Sequence, residues 1–140
     1  MVTLAFDNVQ SPGVPLTDKY QLLLGVEARF QLSVGSLIVL TEPHFSIVEL
    51  RQWLQHWMDT GANDDFSYTS LEAEEQGLVT FRRRGISDCA VGSAWSDLET
   101  EPITSWCSVV QASAKYIRDV DSWVAGHLGV SVVEVLGDLR

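Results

Sequence analysis

Three histidines, two cysteines and two adjacent carboxylate pairs are the side chains of this 140-residue chain best suited to metal binding or nucleophilic attack. His44, His56 and His127 stand far apart. None falls in the HxxxH or HExxH spacing that turns two imidazoles toward one zinc ion from a helix face. Only His56 has other candidate site groups beside it, lying between Trp53 and Trp57 and ahead of Asp59; the plainer reading is an exposed histidine on a helix. Cys89 and Cys107 are too widely spaced for a CxxC motif, and their spacing leaves a disulfide between them open. The plainer reading is two partly buried thiols packed as small apolar groups. A Cys–His nucleophile pair would need an activating environment that spacing does not show. Asp64–Asp65 and Glu74–Glu75 are pairs of the kind that bind Mg²⁺ or Ca²⁺, but without an EF-hand pattern they read as solvated loops. Neither GxSxG nor GxxxxGK[ST] occurs, so nothing supports hydrolase-elbow or phosphate-loop chemistry. No cofactor and no metal are expected, and the chain is not read as an enzyme.

Charge says more. Nineteen acidic against nine basic residues leave a formal charge of −10, which repels nucleic acid and anionic lipid surfaces. Between Asp59 and Glu101 the acids outnumber Arg82, Arg83 and Arg84 so far that most of the net charge lies in the middle third. Their placement at turns would gather Asp59, Asp64, Asp65, Glu72, Glu74, Glu75, Asp97 and Glu99 on one rim, able to steer a basic partner. The competing reading is a generally acidic, soluble surface. Trp53, Tyr68 and Trp95 are candidate aromatic anchors beside that rim, provided they are exposed. The three arginines read as neutralised by the acidic loops near them.

The elements that must position these groups follow from periodicity. From Tyr20 to Val34 every even position is apolar, with Leu23 the one apolar exception among the odd positions, which predicts one long strand. Gly35-Ser36 then turns the chain into a returning strand, residues 37–41, and Pro43 prevents that strand from continuing. Ser46 and Glu49 match a capping box opening a helix over about residues 46–59, with Ile47, Leu50, Leu54, Trp57 and Met58 as its apolar stripe. Segments 66–71, 79–82 and 89–95 alternate as three further strands. From Pro102 the period is helical, giving a long helix over about 103–128. Ser131 to Glu134 offers a second capping box for a short helix through Leu139, although the β-branched run there also suits a strand. The expectation is an α+β fold, a mostly antiparallel sheet of about five strands packed by the two helices, in one domain spanning residues 1–140. The opening residues through Pro15 read as a short strand or arm and a loop. They lack a basic n-region, and no apolar run approaches a membrane span, so a cytoplasmic location is expected.

The succession Val26-Glu27-Ala28-Arg29-Phe30, Glu42-Pro43-His44-Phe45-Ser46-Ile47-Val48-Glu49-Leu50, Asp65-Phe66-Ser67-Tyr68 and Gly92-Ser93-Ala94-Trp95 resembles small bacterial immunity-type proteins of polymorphic toxin systems, over about residues 20–96. The similarity is one of strand–helix–strand layout and turn residues, and it carries no site residues over. It implies a small cytosolic protein that occludes one cognate toxin, commonly a basic nuclease. Two other readings stand beside it. A chaperone for a secreted effector would be a dimer with an exposed apolar groove. A small-ligand-binding domain or enzyme would need a deep pocket, with His56, Cys89 and carboxylates as its lining.

Overall fold

The computed structural model describes residues 1–11, 19–71 and 74–137, and it is an α+β fold with two antiparallel sheets rather than one. The first sheet has the order β1-β2-β3, formed by Val2–Gln10, Glu27–Val34 and Leu37–Ser46. The second has the order β4-β5-β6-β7, formed by Phe66–Tyr68, Val79–Arg84, Asp88–Gly92 and Ile103–Ser105. Helices α1 (Lys19–Gly25), α2 (Ile47–Asp59), α3 (Trp106–Leu128) and α4 (Val132–Leu136) complete the chain.

The expected strand over Tyr20–Val34 is two elements, α1 and then β2. Leu23 decides the matter. Leu22, Leu23 and Val26 are all buried while Tyr20 is half exposed, a spacing that one helix face satisfies and a pleat cannot. Alternation holds only within β2, where Ala28, Phe30 and Leu32 are buried and Arg29 is exposed. Gly35 turns β2 into β3 at φ +59, as its position requires. Pro43 does not end β3, however. The register slips between the pairs Ala28–Phe45 and Phe30–Glu42, so Pro43 and His44 together face Arg29 in a bulge on an edge strand, where a missing N–H is tolerated.

Helix α2 begins where expected, but no capping box forms, because the Ser46 side chain accepts no cap hydrogen bond. Glu49 instead turns inward, 1% exposed, and its carboxylate accepts hydrogen bonds from Tyr68 Oη at 2.6 Å and Leu71 N at 3.1 Å. Burial of a carboxylate demands such donors, and they outcompete the helix's own N–H groups. Helix α3 starts three residues later than the helical period suggests, since Ile103–Ser105 first pairs with Asp88–Ala90 as β7. Ser105 then caps α3 by accepting from Ser108 N at 3.1 Å. At the C-terminus the cap reading holds for Ser131, which accepts from Glu134 N, and α4 is helical; Leu139 lies outside the described residues.

One hydrophobic cluster runs through both sheets and all four helices. Phe6 and Phe30 meet the Tyr116 ring edge-on, Phe30 stacks on Phe45, and Phe45 leads to Tyr68. Trp57 of α2 touches Phe66, Phe81 and Trp106, tying the second sheet to α3. Arg51, 3% exposed, joins α2 to α3 through paired hydrogen bonds of 2.8 and 2.9 Å to Asp121.

Candidate functional site

The acidic residues are carried by the turns of the second sheet, and its strand order decides which of them meet. Phe66 pairs with Phe81 and Tyr68 with Val79, so Asp64 and Asp65 lie at one end of β4 while Glu74 and Glu75 lie in the loop leaving its other end. Gly92 pairs with Thr80, which brings the loop bearing Trp95, Asp97 and Glu99 to the same end as Glu74 and Glu75. A hydrogen bond of 2.9 Å from Ala94 N to Gly77 O joins the two loops. The single rim expected from the sequence is therefore two clusters at opposite ends of the sheet; Glu72 lies outside the described residues.

The clusters differ in what surrounds them. At the first end the Asp65 carboxylate accepts from Arg83 N at 2.8 Å, and Asp59 accepts from Gln55 Nε2 at 2.9 Å. The Arg83 guanidinium donates to the carbonyls of Asn63 and Ile86 and lies 4.3 Å from the centre of the Trp106 ring. At the other end Glu74, Glu75, Asp97 and Glu99 are all exposed, and among the described residues none of them makes an ion pair. That end is the more negative one.

Between the clusters the outer face of the sheet holds a depression of about 350 Å³ lined by Asp65, Ser67, Gln76, Gly77, Thr80, Arg82, Ser93 and Ala94. Arg82 is paired with Glu101 at 2.9 Å across this face. A Cβ at Gly92 would collide with the Glu101 carboxylate, so glycine is what lets that side chain lie flat on the sheet. The same Cβ would also crowd Thr80 Oγ1, a buried hydroxyl without a hydrogen-bond partner among the described residues. Glu101 stands among the acids of the sequence, but its apposition to Gly92 requires the β6 register to be known.

The aromatic anchors divide likewise. Trp53 and Trp95 are each 36% exposed and accessible to a partner. Tyr68 is 1% exposed, with its hydroxyl bound to Glu49, so it is a core residue and no anchor. It contributes to the lining of a cleft of about 180 Å³ together with Trp95, His44, Ser46, Ser70 and Glu27.

The other candidate chemistry is dispersed. His44 is on β3, His56 is exposed on α2, and His127 stacks on Trp123 at the end of α3. Both cysteines are free thiols. Cys89 is fully buried, and burial pushes its pKa up to about 11, the reverse of what a nucleophile needs. Cys107 is exposed. Among the described residues no group of three or more His, Cys, Asp or Glu side chains is placed to hold a metal ion, and no helix is long and apolar enough to cross a membrane.

No curated protein and no solved structure matches this chain. Residues 2–126 match the family described as a domain of unknown function (DUF7878), and the chain belongs to that family.

Proposed function

We propose that this protein is a cytoplasmic protein-binding inhibitor of the immunity type, which neutralises a basic toxin domain by covering it. The observation that carries the reading is the cluster of Glu74, Glu75, Asp97 and Glu99, exposed and without ion pairs among the described residues, on two joined loops with Trp95 accessible beside them. Exposed carboxylates gathered at one end of a molecule of net charge −10 raise the encounter rate with a basic surface. A partly exposed indole supplies the apolar contact that slows dissociation once the partner has docked.

The test is coexpression with a toxin-like domain encoded beside this gene. Growth should be restored and the two chains should co-purify. Changing Glu74, Glu75, Asp97 and Glu99 together to lysine should then lower the association rate at least tenfold at low salt. Toxicity that persists despite coexpression defeats the inhibitor reading, and an unchanged association rate defeats the role of this cluster.

A further inference from the structure

The edge of the first sheet carries a second surface, remote in chemistry from the acidic loops. Strand β1 has β2 on one side, and among the described residues no strand pairs with the other. Its register with β2 is regular from Val2–Val34 to Asp7–Arg29. Gly35 N donates to Met1 O at 2.8 Å, which makes Met1–Gly35 a hydrogen-bonded pair position. Alternation along an antiparallel ladder then turns the N–H and C=O groups of Val2, Leu4 and Phe6 outward. The outward bond from Val2 N to Ser108 Oγ of α3, 3.2 Å, agrees with that phase.

Helix α3 runs alongside this edge. Ser108 lies by Val2 and Tyr116 by Phe6, and eight helical residues rise about 12 Å, close to the roughly 13 Å of four strand residues. Ser108, Ala112, Lys115 and Arg118, a stripe at three- and four-residue spacing, face residues 1–4 across a groove of about 330 Å³. An edge strand with outward backbone groups and a helix along it is the geometry that accepts an extended segment as an added strand.

We propose that this groove binds an extended acidic segment of a partner protein, which adds to the first sheet along β1. Leu4 and Phe6 supply the main-chain hydrogen bonds. Every second side chain of the added strand faces α3, where Lys115 and Arg118 meet it. Lys115 is held by Asp119 at 2.7 Å, whereas Arg118 is exposed and makes no ion pair among the described residues, so it is available to a carboxylate. A second copy of this chain is a poorer occupant. Asp7, the acid on β1, is already bound by Arg29 through hydrogen bonds of 2.8 and 2.6 Å, and each molecule carries −10.

A displayed library of random ten-residue peptides, panned on the full chain, tests this directly. Selected peptides should be rich in Asp and Glu and should protect the Leu4 and Phe6 amides from hydrogen exchange. Arg118→Glu, on an exposed helix position, should weaken their binding at least tenfold without altering the fold. Failure to select binders, selection of neutral or basic peptides, or full affinity in the Arg118→Glu protein would overturn the proposal. So would amides of Leu4 and Phe6 that are already protected in a molecule of doubled mass, the signature of a second copy on the edge.

Discussion

Glu49 shows how far a single side chain's role is set by what lies above it. At the residue scale the carboxylate has two donors, Tyr68 Oη and Leu71 N, and almost no contact with water. Tyr68→Phe leaves one carboxylate oxygen without that donor, and the expected loss is about 1–3 kcal/mol in chemical denaturation. Ser46→Ala should cost far less than the ~1 kcal/mol of a working N-cap, because its hydroxyl caps nothing. A larger loss for Ser46→Ala than for Tyr68→Phe would show that the capping box exists after all. The spacing of Ser46 and Glu49 was legible in the sequence, but not that a tyrosine some twenty positions downstream would claim the carboxylate, since that contact depends on how β4 packs against α2. For the same reason Trp53, Tyr68 and Trp95 read alike along the chain and differ only once the core is closed.

At the scale of elements, α1 offers the sharpest test, because helix and strand assign opposite fates to neighbouring leucines. In a strand Leu23 would share the solvated face with Gln21; in α1 it is buried with Leu22. Leu23→Ala should therefore cost about 2–4 kcal/mol, as core truncations do, while Tyr20→Ala at a half-exposed position should stay within about 1 kcal/mol. The reverse order would restore the strand. Alternation alone misleads here because Tyr20, Leu22 and Leu24 satisfy a period of two, and only the position that breaks it carries the helical signal. The two helices that pack the sheets were readable from long stripes of three- and four-residue spacing, whereas β7 is three residues long and has no periodicity to read. Arg51 is one of the links between those helices, beside the Trp57–Trp106 contact and the Tyr116 to Ile47 hydrogen bond. With its guanidinium buried between α2 and α3, Asp121→Ala should cost about 3–5 kcal/mol at most, reduced by the exposure of Asp121 and by the 2.6 Å hydrogen bond that Arg51 keeps to Gln52. Replacing Arg51 by Met together with Asp121→Ala should recover part of that loss, since no unpaired charge then remains inside.

The molecule as a whole carries two buried groups that hold their protons, and their joint effect is visible at alkaline pH. Burial raises the Cys89 thiol from its ordinary value of 9.0 to about 11 and holds the Tyr116 hydroxyl well above its ordinary value of 10.0. Tyr116 also donates to Ile47 O at 2.7 Å, a bond that its phenolate form cannot make. Above pH 9 the unfolded chain surrenders the thiol proton while the folded chain keeps it, so the unfolded state binds fewer protons and stability falls as pH rises. Below that pH both states hold the proton and the contribution is complete. The decline should begin near pH 9 and steepen above pH 10 as Tyr116 joins, each proton held only by the folded state costing about 1.4 kcal/mol per pH unit. Urea midpoints of the wild type and of Cys89→Ala, measured from pH 8 to 11, separate the terms. The variant should be less stable at pH 8, where its missing sulfur leaves a small void, and should lose less between pH 9 and 10. Parallel curves for the two proteins would mean that Cys89 ionises freely in the folded state, and that the second sheet opens to solvent at β6.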